Sequence, residues 1–361
     1  MKILTVIGAR PQFVKAAAVS RIIRRNTEEI LVHTGQHYDA NMSEIFFDEL
    51  HIPKPDFNLG VGSGSHAKQT AEMMVKLEEL MLREKPDFVM VYGDTNSTLA
   101  GALAAVKIHI PIIHIEAGLR SFNMNMPEEI NRILTDRISA HLFCPTQTAV
   151  DNLKKEGRTE NVYNVGDVMC DAVLYYGKMT EEKSEKEFFS RLKPLWGECK
   201  TMNDWYLATI HRAENTDSEE KIENILDAME LLDEKVIFPV HPRTKGIVKA
   251  LAEKNRYKNI CFIEPMGYID MLYFVKNAKK VITDSGGLQK ETYILHTPCI
   301  TVREQTEWTE TLAGKHNVLA HPKKEDILDK VNRVKIDDSK YEKYYGDGHA
   351  AEKISEILQR I

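Results

Sequence analysis

Two acidic residues stand where apolar runs give way to polar turns, Asp94 after the run Phe88–Tyr92 and Glu116 after residues 111–115, and a third, Glu128, stands directly behind Pro127. Carboxylates at strand mouths can take up and return protons, the work of general acid and base catalysis. The stretch 111–132, PIIHIEAGLRSFNMNMPEEINR, reads as a buried strand ending in Glu116, a loop rich in Asn and Met, and a helix opened by Pro127. Glu128 and Glu129 in the first turn of that helix also fit a plainer role as complements to the helix dipole. The runs 88–92 and 111–115 deliver Asp94 and Glu116 to one sheet edge, which is where open α/β sheets bind ligands.

A second set of residues fits an anion. Val281-Ile282-Thr283-Asp284-Ser285-Gly286-Gly287 leads a strand through a glycine turn into a helix start, which can aim backbone amides at a diphosphate. The same turn is ordinary strand-to-helix chemistry when taken alone. Glu291 sits early in the helix, where it can meet a ribose diol or simply complement the dipole. Two strand ends pair a histidine with an arginine, His211-Arg212 and His241-Pro242-Arg243, and Arg303 adds a cation after residues 299–302. These place phosphate binders on one side of an expected cleft and acids on the other. His37 and His66 are expected to reach the cleft from loops. Gly60-Val61-Gly62-Ser63-Gly64 follows no clear strand, so it reads as a flexible loop and no nicotinamide cofactor is expected. No metal site is expected either, since HExxH and paired Cys/His spacings are absent.

The elements that must position these groups alternate as strand and helix. Strands are expected at 2–7, 29–34, 88–92, 111–115, 141–145 and 161–165, with helices at 13–25, 42–50, 67–83, 97–108, from 128, and at 148–155. This pattern implies an α/β fold with a doubly wound, mainly parallel sheet. A charged helical stretch around 172–203 precedes a second series, with strands at 205–210, 235–240, 259–263, 280–283 and 299–302. At 361 residues two domains are the expectation. We place an N-terminal Rossmann-like domain at 1–170, a helical link at 171–203, a C-terminal Rossmann-like domain at 204–345, and a last helix at 346–361 packing back on the first. A net charge of −6 argues against nucleic acid as partner, and the lack of an 18-residue apolar run argues against a membrane span. Met1-Lys2-Ile3-Leu4 begins as a strand rather than a signal peptide, which points to the cytoplasm. Cys144, Cys170, Cys199, Cys261 and Cys299 are scattered without CxxC spacing and are expected to be reduced core thiols.

An ordered set of segments resembles the non-hydrolysing UDP-sugar 2-epimerase family, whose members pair two Rossmann-like domains across a cleft in the GT-B arrangement. The segments are Gly8-Ala9-Arg10-Pro11-Gln12-Phe13-Val14-Lys15, Gly93-Asp94-Thr95, His114 to Arg120, Pro127 to Arg132, His211 to Asn215, His241-Pro242-Arg243, Asp284 to Gly287, and Arg303. The resemblance implies that Asp94, Glu116 and Glu128 are the catalytic carboxylates and His211 the active-site histidine. It also implies that Arg10, Lys15, Arg132, Ser285, Gly286, Gly287, Glu291 and Arg303 hold the nucleotide sugar. A sugar C2 proton has no adjacent carbonyl to acidify it, so the C1–O bond to UDP must break as that proton leaves, giving a glycal and UDP. Cations and helix-end amides would stabilise the departing diphosphate, and inversion requires a second acid on the opposite face. The resemblance further implies a homodimer, no cofactor, and closure of the cleft over the intermediates.

The chain departs from the commonest UDP-N-acetylglucosamine form of this family. It has Thr306-Glu307-Trp308-Thr309-Glu310 where that form has Thr-Glu-Arg-Pro-Glu, and residues 38–47 and 59–66 differ from the segments tied to allosteric activation. These stretches look closer to the branch that converts UDP-2,3-diacetamido-2,3-dideoxy-glucuronate to its manno epimer for surface polysaccharide such as O-antigen. UDP-N-acetylglucosamine is the alternative substrate. A GT-B glycosyltransferase would use the glycine and basic loops equally well but gives no reason for acids at three sites. A nucleotide-sugar sensor without turnover is the remaining alternative.

Overall fold

The computed structural model describes residues 1–35, 49–50, 52–196, 199, 202–253 and 257–361; of Arg10 only the backbone is described. The helix expected at 42–50 falls almost wholly outside these residues, as does His37. The chain forms two compact units, Met1–Tyr175 with Lys343–Ile361, and Tyr176–Glu342.

In the first unit the strands are β1 (Lys2–Ile7), β2 (Glu28–His33), β3 (Phe57–Asn58), β4 (Phe88–Tyr92), β5 (Ile112–Ile115), β6 (His141–Cys144) and β7 (Val162–Asn164). They form one parallel sheet in the order β3-β2-β1-β4-β5-β6-β7. The helices between them are α1 (Arg10–Ile23), α2 (His66–Glu84), α3 (Asn96–Lys107), α4 (Pro127–Ile138), α5 (Gln147–Lys155) and α6 (Val168–Met179). Helices cover both faces of such a sheet, so its strands read as continuous apolar runs. Val89, Met90, Val91 and Tyr92 of β4 are all fully buried, and each such side chain contributes about 1.5–3 kcal/mol.

The second unit repeats the plan. Helix α7 (Glu185–Arg191) leads to β8 (Trp205–Thr209), α8 (Ala213–Thr216), α9 (Glu219–Glu230), β9 (Lys235–Pro239), α10 (Pro242–Ala252), β10 (Ile260–Ile263) and α11 (Tyr268–Lys276). There follow β11 (Lys280–Thr283), α12 (Gly286–Ile294), β12 (Cys299–Val302), β13 (Asn317–Ala320) and α13 (Lys324–Arg333). The sheet order is β10-β9-β8-β11-β12-β13, again parallel. In both sheets the strand order reverses once, between β1 and β4 and between β8 and β11, and ligands of open α/β sheets bind at that reversal. The chain returns to the first unit through α14 (Ala350–Leu358). This helix packs on α1, and its first amides, from Ala350 and Ala351, donate to the Asp171 carboxylate at 3.0 and 2.7 Å.

Three features differ from the sequence reading. β3 and β13 were not expected: the first is two residues long, and the second opens on Asn317 at a sheet edge, so neither shows an apolar run. β3 also lies just ahead of the Gly60–Gly64 turn, where no strand was foreseen. Cys199 and Cys261 are not separate thiols but paired, with Cα atoms 5.6 Å apart. Pro194 and Leu195 pair with the backbone of β10, which brings Cys199 beside Cys261, a neighbour 62 residues distant. Cys144, Cys170 and Cys299 are free and buried. No helix among the described residues is long and apolar enough to cross a membrane.

Candidate active site

The turn after β4 is built for close approach. Gly93 has φ +62°, and a Cβ there would come 3.0 Å from Glu116 Oε2 and 3.3 Å from Lys15 Nζ. Thr95 then caps α3, its hydroxyl accepting from the Thr98 amide, so Asp94 is held between a left-handed turn and a helix start. Asn131 Nδ2 donates to the Asp94 carbonyl at 2.9 Å, and the Arg132 guanidinium pairs with the Asp94 carboxylate. Burial pushes the Asp94 carboxyl above its ordinary value, with help from the charges of Glu116 and Glu128 and against the pull of Arg132 and Lys15.

Glu116 itself adopts φ +70°, a left-handed conformation that costs a non-glycine residue about 1 kcal/mol or more. Its amide and that of Ala117 both donate to the Phe143 carbonyl at 3.0 Å, which holds the strained turn against β6. Lys15, projecting from α1, forms an ion pair with the Glu116 carboxylate in a buried setting. Asp94, Glu116, Glu128, Lys15 and Arg132 therefore form one electrostatic cluster. Glu128 is exposed at the start of α4, whereas its neighbour Glu129 is buried. Glu129 accepts the amides of Ser121 and Phe122, each at 2.9 Å, and pairs with Arg132 Nη2 at 2.8 Å. Those donors outweigh burial and hold its carboxyl below the ordinary value. His66 opens α2 with its ring 3.3 Å from Asn96 Oδ1.

In the second unit the fully buried Asp284 organises the strand ends. Its carboxylate accepts the amides of His211 at 3.0 Å and Arg212 at 2.9 Å, and Asn215 Nδ2 at 3.0 Å. His211 Nδ1 lies 3.3 Å from the same carboxylate, and Asn215 also donates to the Val302 carbonyl. The ends of β8, β11 and β12 are thus tied to one side chain. Ser285 caps α12, and Gly286 follows where a Cβ would meet Glu307 Oε1 at 2.7 Å, Trp308 Nε1 at 3.2 Å and Arg212 Nη2 at 3.5 Å. A Cβ on Gly287 would meet only Ser285 Oγ, at 3.9 Å. Glu307 is bonded by Arg303 Nη1 at 2.9 Å and lies 3.8 Å from Arg212 Nη2. Burial works to raise its carboxyl, but the two arginines keep it below the ordinary value.

Around this turn the Lys290 ammonium sits 4.0 Å from the centroid of the Trp308 ring, Glu291 is buried in α12, and Arg303 Nε is buried without a hydrogen-bond partner among the described residues. The rings of His211 and His241 are 5.4 Å apart. His241 caps α10, and Arg243 turns to an exposed pair with Asp217 at 3.0 Å instead of joining the Glu307 group. The roles of Glu129, Asp284, Asn215 and Glu307 were not foreseen, and Arg212 was read only as a strand-end cation for phosphate, not as a partner of Glu307. A sequence signal existed only for those next to a recognised turn: Arg212 and Asn215 behind β8, and Asp284 ahead of the glycines. Among the described residues no group of three His, Cys, Asp or Glu is placed to hold a metal ion.

The sequence model of the UDP-N-acetylglucosamine 2-epimerase family matches residues 21–359. The chain belongs to this family. It is a UDP-sugar 2-epimerase, an isomerase of the non-hydrolysing type. A UDP-N-acetylglucosamine 2-epimerase homolog of Methanococcus maripaludis is 52% identical over 365 residues, covering both chains in full. The UDP-2,3-diacetamido-2,3-dideoxy-D-glucuronate 2-epimerase of Pseudomonas aeruginosa is 46% identical over 373 residues, again with full coverage. The crystal structure of Methanocaldococcus jannaschii UDP-GlcNAc 2-epimerase in complex with UDP-GlcNAc and UDP superposes with a TM-score of 0.89 at 42% identity, over 100% of each chain. The expected fold class, α/β with two Rossmann-like parallel sheets of the GT-B type, is the one this epimerase has.

Proposed function

We propose that the enzyme inverts C2 of a UDP-2-acetamido sugar by anti elimination of UDP and re-addition. The observation that carries this reading is the pair of carboxylates Asp94 and Glu116, on the turns after neighbouring strands β4 and β5, in one cluster with Lys15, Arg132 and Glu128. One carboxylate takes the C2 proton as the C1–O bond breaks and the electron pair leaves with UDP. The glycal then receives a proton on the opposite face of C2 while UDP adds back at C1. Two faces require two proton-carrying groups, and Asp94, whose carboxyl burial raises, and Glu116 are the two proposed. Glu128 is the third acid of this set.

The second unit takes the diphosphate. Ser285, Gly286 and Gly287 offer the amide end of α12, Arg303, His211, His241 and Arg243 supply cationic or hydrogen-bonding groups, and Glu291 meets the ribose. Arg10 and Lys15 join the nucleotide sugar from α1. This division, with acids in the first Rossmann-like domain and UDP binding in residues 204–345, is part of the same proposal.

For the sugar we favour UDP-2,3-diacetamido-2,3-dideoxy-glucuronate, on the sequence tracts that depart from the UDP-N-acetylglucosamine form and on the Pseudomonas relative. UDP-N-acetylglucosamine is the second reading, favoured by a 45% identical Methanococcus maripaludis relative that bears that name. Incubating the enzyme with each UDP-sugar and following the products by proton NMR separates them. The manno epimer is expected from the diacetamido-glucuronate at the higher kcat/KM. Faster turnover of UDP-N-acetylglucosamine reverses the assignment, and sugar transfer that needs an added acceptor replaces the epimerase reading with a glycosyltransferase.

A further inference from the structure

One buried carboxylate lies behind both acid-bearing turns. Asp136 on α4 places Oδ1 2.7 Å from His114 Nδ1, and its Oδ2 accepts the Gly118 amide at 3.1 Å and Arg120 Nη1 at 2.7 Å. The other ring nitrogen of His114, Nε2, is 2.8 Å from the Gly93 carbonyl. His114 and Asp136 are 0% and 1% exposed. Arg120 continues the network to Glu156 at 2.7 and 2.8 Å, so two basic and two acidic side chains are linked in series.

Hydrogen-bond chemistry fixes how the ring is used. A carbonyl oxygen can only accept, so the ring donates from Nε2 to the Gly93 carbonyl, and Nδ1 faces the Asp136 carboxyl. Burial works to raise the Asp136 carboxyl, but His114 and Arg120 hold it below its ordinary value. Gly93 immediately precedes Asp94, and Gly118 follows Glu116 by two residues. Gly93, Glu116 and Gly118 have φ values of +62°, +70° and +82°; the glycines take this conformation freely, whereas Glu116 is strained in it.

Stability alone is a poor account of such a network. Replacing a buried ionic group with well-packed apolar side chains is often neutral or stabilising. We propose that His114 and Asp136 are positioning residues for the C2 proton transfers. Through the Gly93 carbonyl and the Gly118 amide they hold the turns that carry Asp94 and Glu116, and they act through those residues without touching the sugar. This rests on the epimerase chemistry proposed above for the two acids.

The test uses the full-length enzyme with His114→Leu, His114→Gln and Asp136→Asn, measuring epimerisation kcat and KM, UDP affinity and thermal midpoint. His114→Leu is expected to lower kcat about 100-fold, the scale of an ångström-level misplacement, while KM and UDP affinity stay within about threefold. His114→Gln keeps an N–H within reach of the Gly93 carbonyl and is expected to recover about tenfold of the lost kcat. Asp136→Asn should lower kcat with KM unchanged. A folded His114→Leu enzyme with wild-type kcat would overturn the proposal, as would a Gln variant that regains thermal stability but no kcat. If His114→Leu does not fold, His114→Gln and Asp136→Asn decide alone: reduced kcat at unchanged KM supports the role, and wild-type kcat overturns it. Wild-type enzyme that forms no epimer removes the reaction reading and this inference together, whereas an active wild type with unaffected variants removes the inference alone.

Discussion

In the first unit acids are matched by basic side chains brought from other elements: Lys15 of α1 meets Glu116, and Arg132 of α4 meets Asp94. In the second unit the arrangement differs. Asp284 is satisfied by backbone amides and an asparagine, and an acid, Glu307, sits between two arginines. On the proposed reading, the same doubly wound plan carries two kinds of chemistry at its strand reversals. Paired acids, one of them on a strained turn, suit proton transfer, while a glycine turn locked by a buried carboxylate suits binding of an anion. The contrast shows that the sheet fixes where a site stands and that a few side chains behind the turns decide what it does.

The largest test of this contrast is Asp94→Asn or Glu116→Gln, each expected to lower kcat about 10³-fold while UDP affinity measured by calorimetry is kept. Loss of UDP affinity with kcat intact would erase the distinction between the units. A carboxylate of the first unit held by amides rather than by a side-chain cation sharpens it next. Burial lifts the Asp171 carboxyl to about 6 despite the amides of Ala350 and Ala351, against about 3.9 in an unfolded chain. The folded state then binds more protons between these values, so stability falls as pH rises through that window, by about 3 kcal/mol in all. Asp171→Asn should flatten that slope in denaturant titrations at a series of pH values, and an unchanged slope would count against the assignment.

Gly286→Ala probes the second unit, since its Cβ would crowd Glu307 and Trp308. We expect about tenfold weaker UDP binding, or 1.4 kcal/mol, with kcat at saturation little changed; the opposite split would place chemistry at the glycine turn. The smallest effect expected is one of direction. If Asp94 acts in its ionised form, Arg132→Met removes a cation that lowers its pKa, so the acid limb of kcat/KM should move to higher pH. A limb that moves to lower pH contradicts that role.

Much of this was readable in the sequence because local patterns carried it. Apolar runs ending in Gly93-Asp94, Glu116 and Asp284-Ser285 marked both the strands and the turns, and Pro127 marked the start of α4. What stayed hidden depended on distance or on helix rotation. Lys15 and Glu116 are 101 residues apart, so their pairing has no local trace. Glu128 and Glu129 are adjacent and equally acidic, and only the orientation of α4 makes one exposed and the other a buried support for Arg132. Asp136 reads as one more polar residue on that helix, and its link to two turns appears only once β5 and α4 are packed.

Heavy water offers the most direct measurement of the central claim that first-unit acids exchange the C2 proton. Incubated there with its UDP-sugar, the wild-type enzyme should place deuterium at C2 of both epimers, and Asp94→Asn and Glu116→Gln should slow that incorporation in step with epimerisation. Epimer formed with its C2 hydrogen retained would contradict the account.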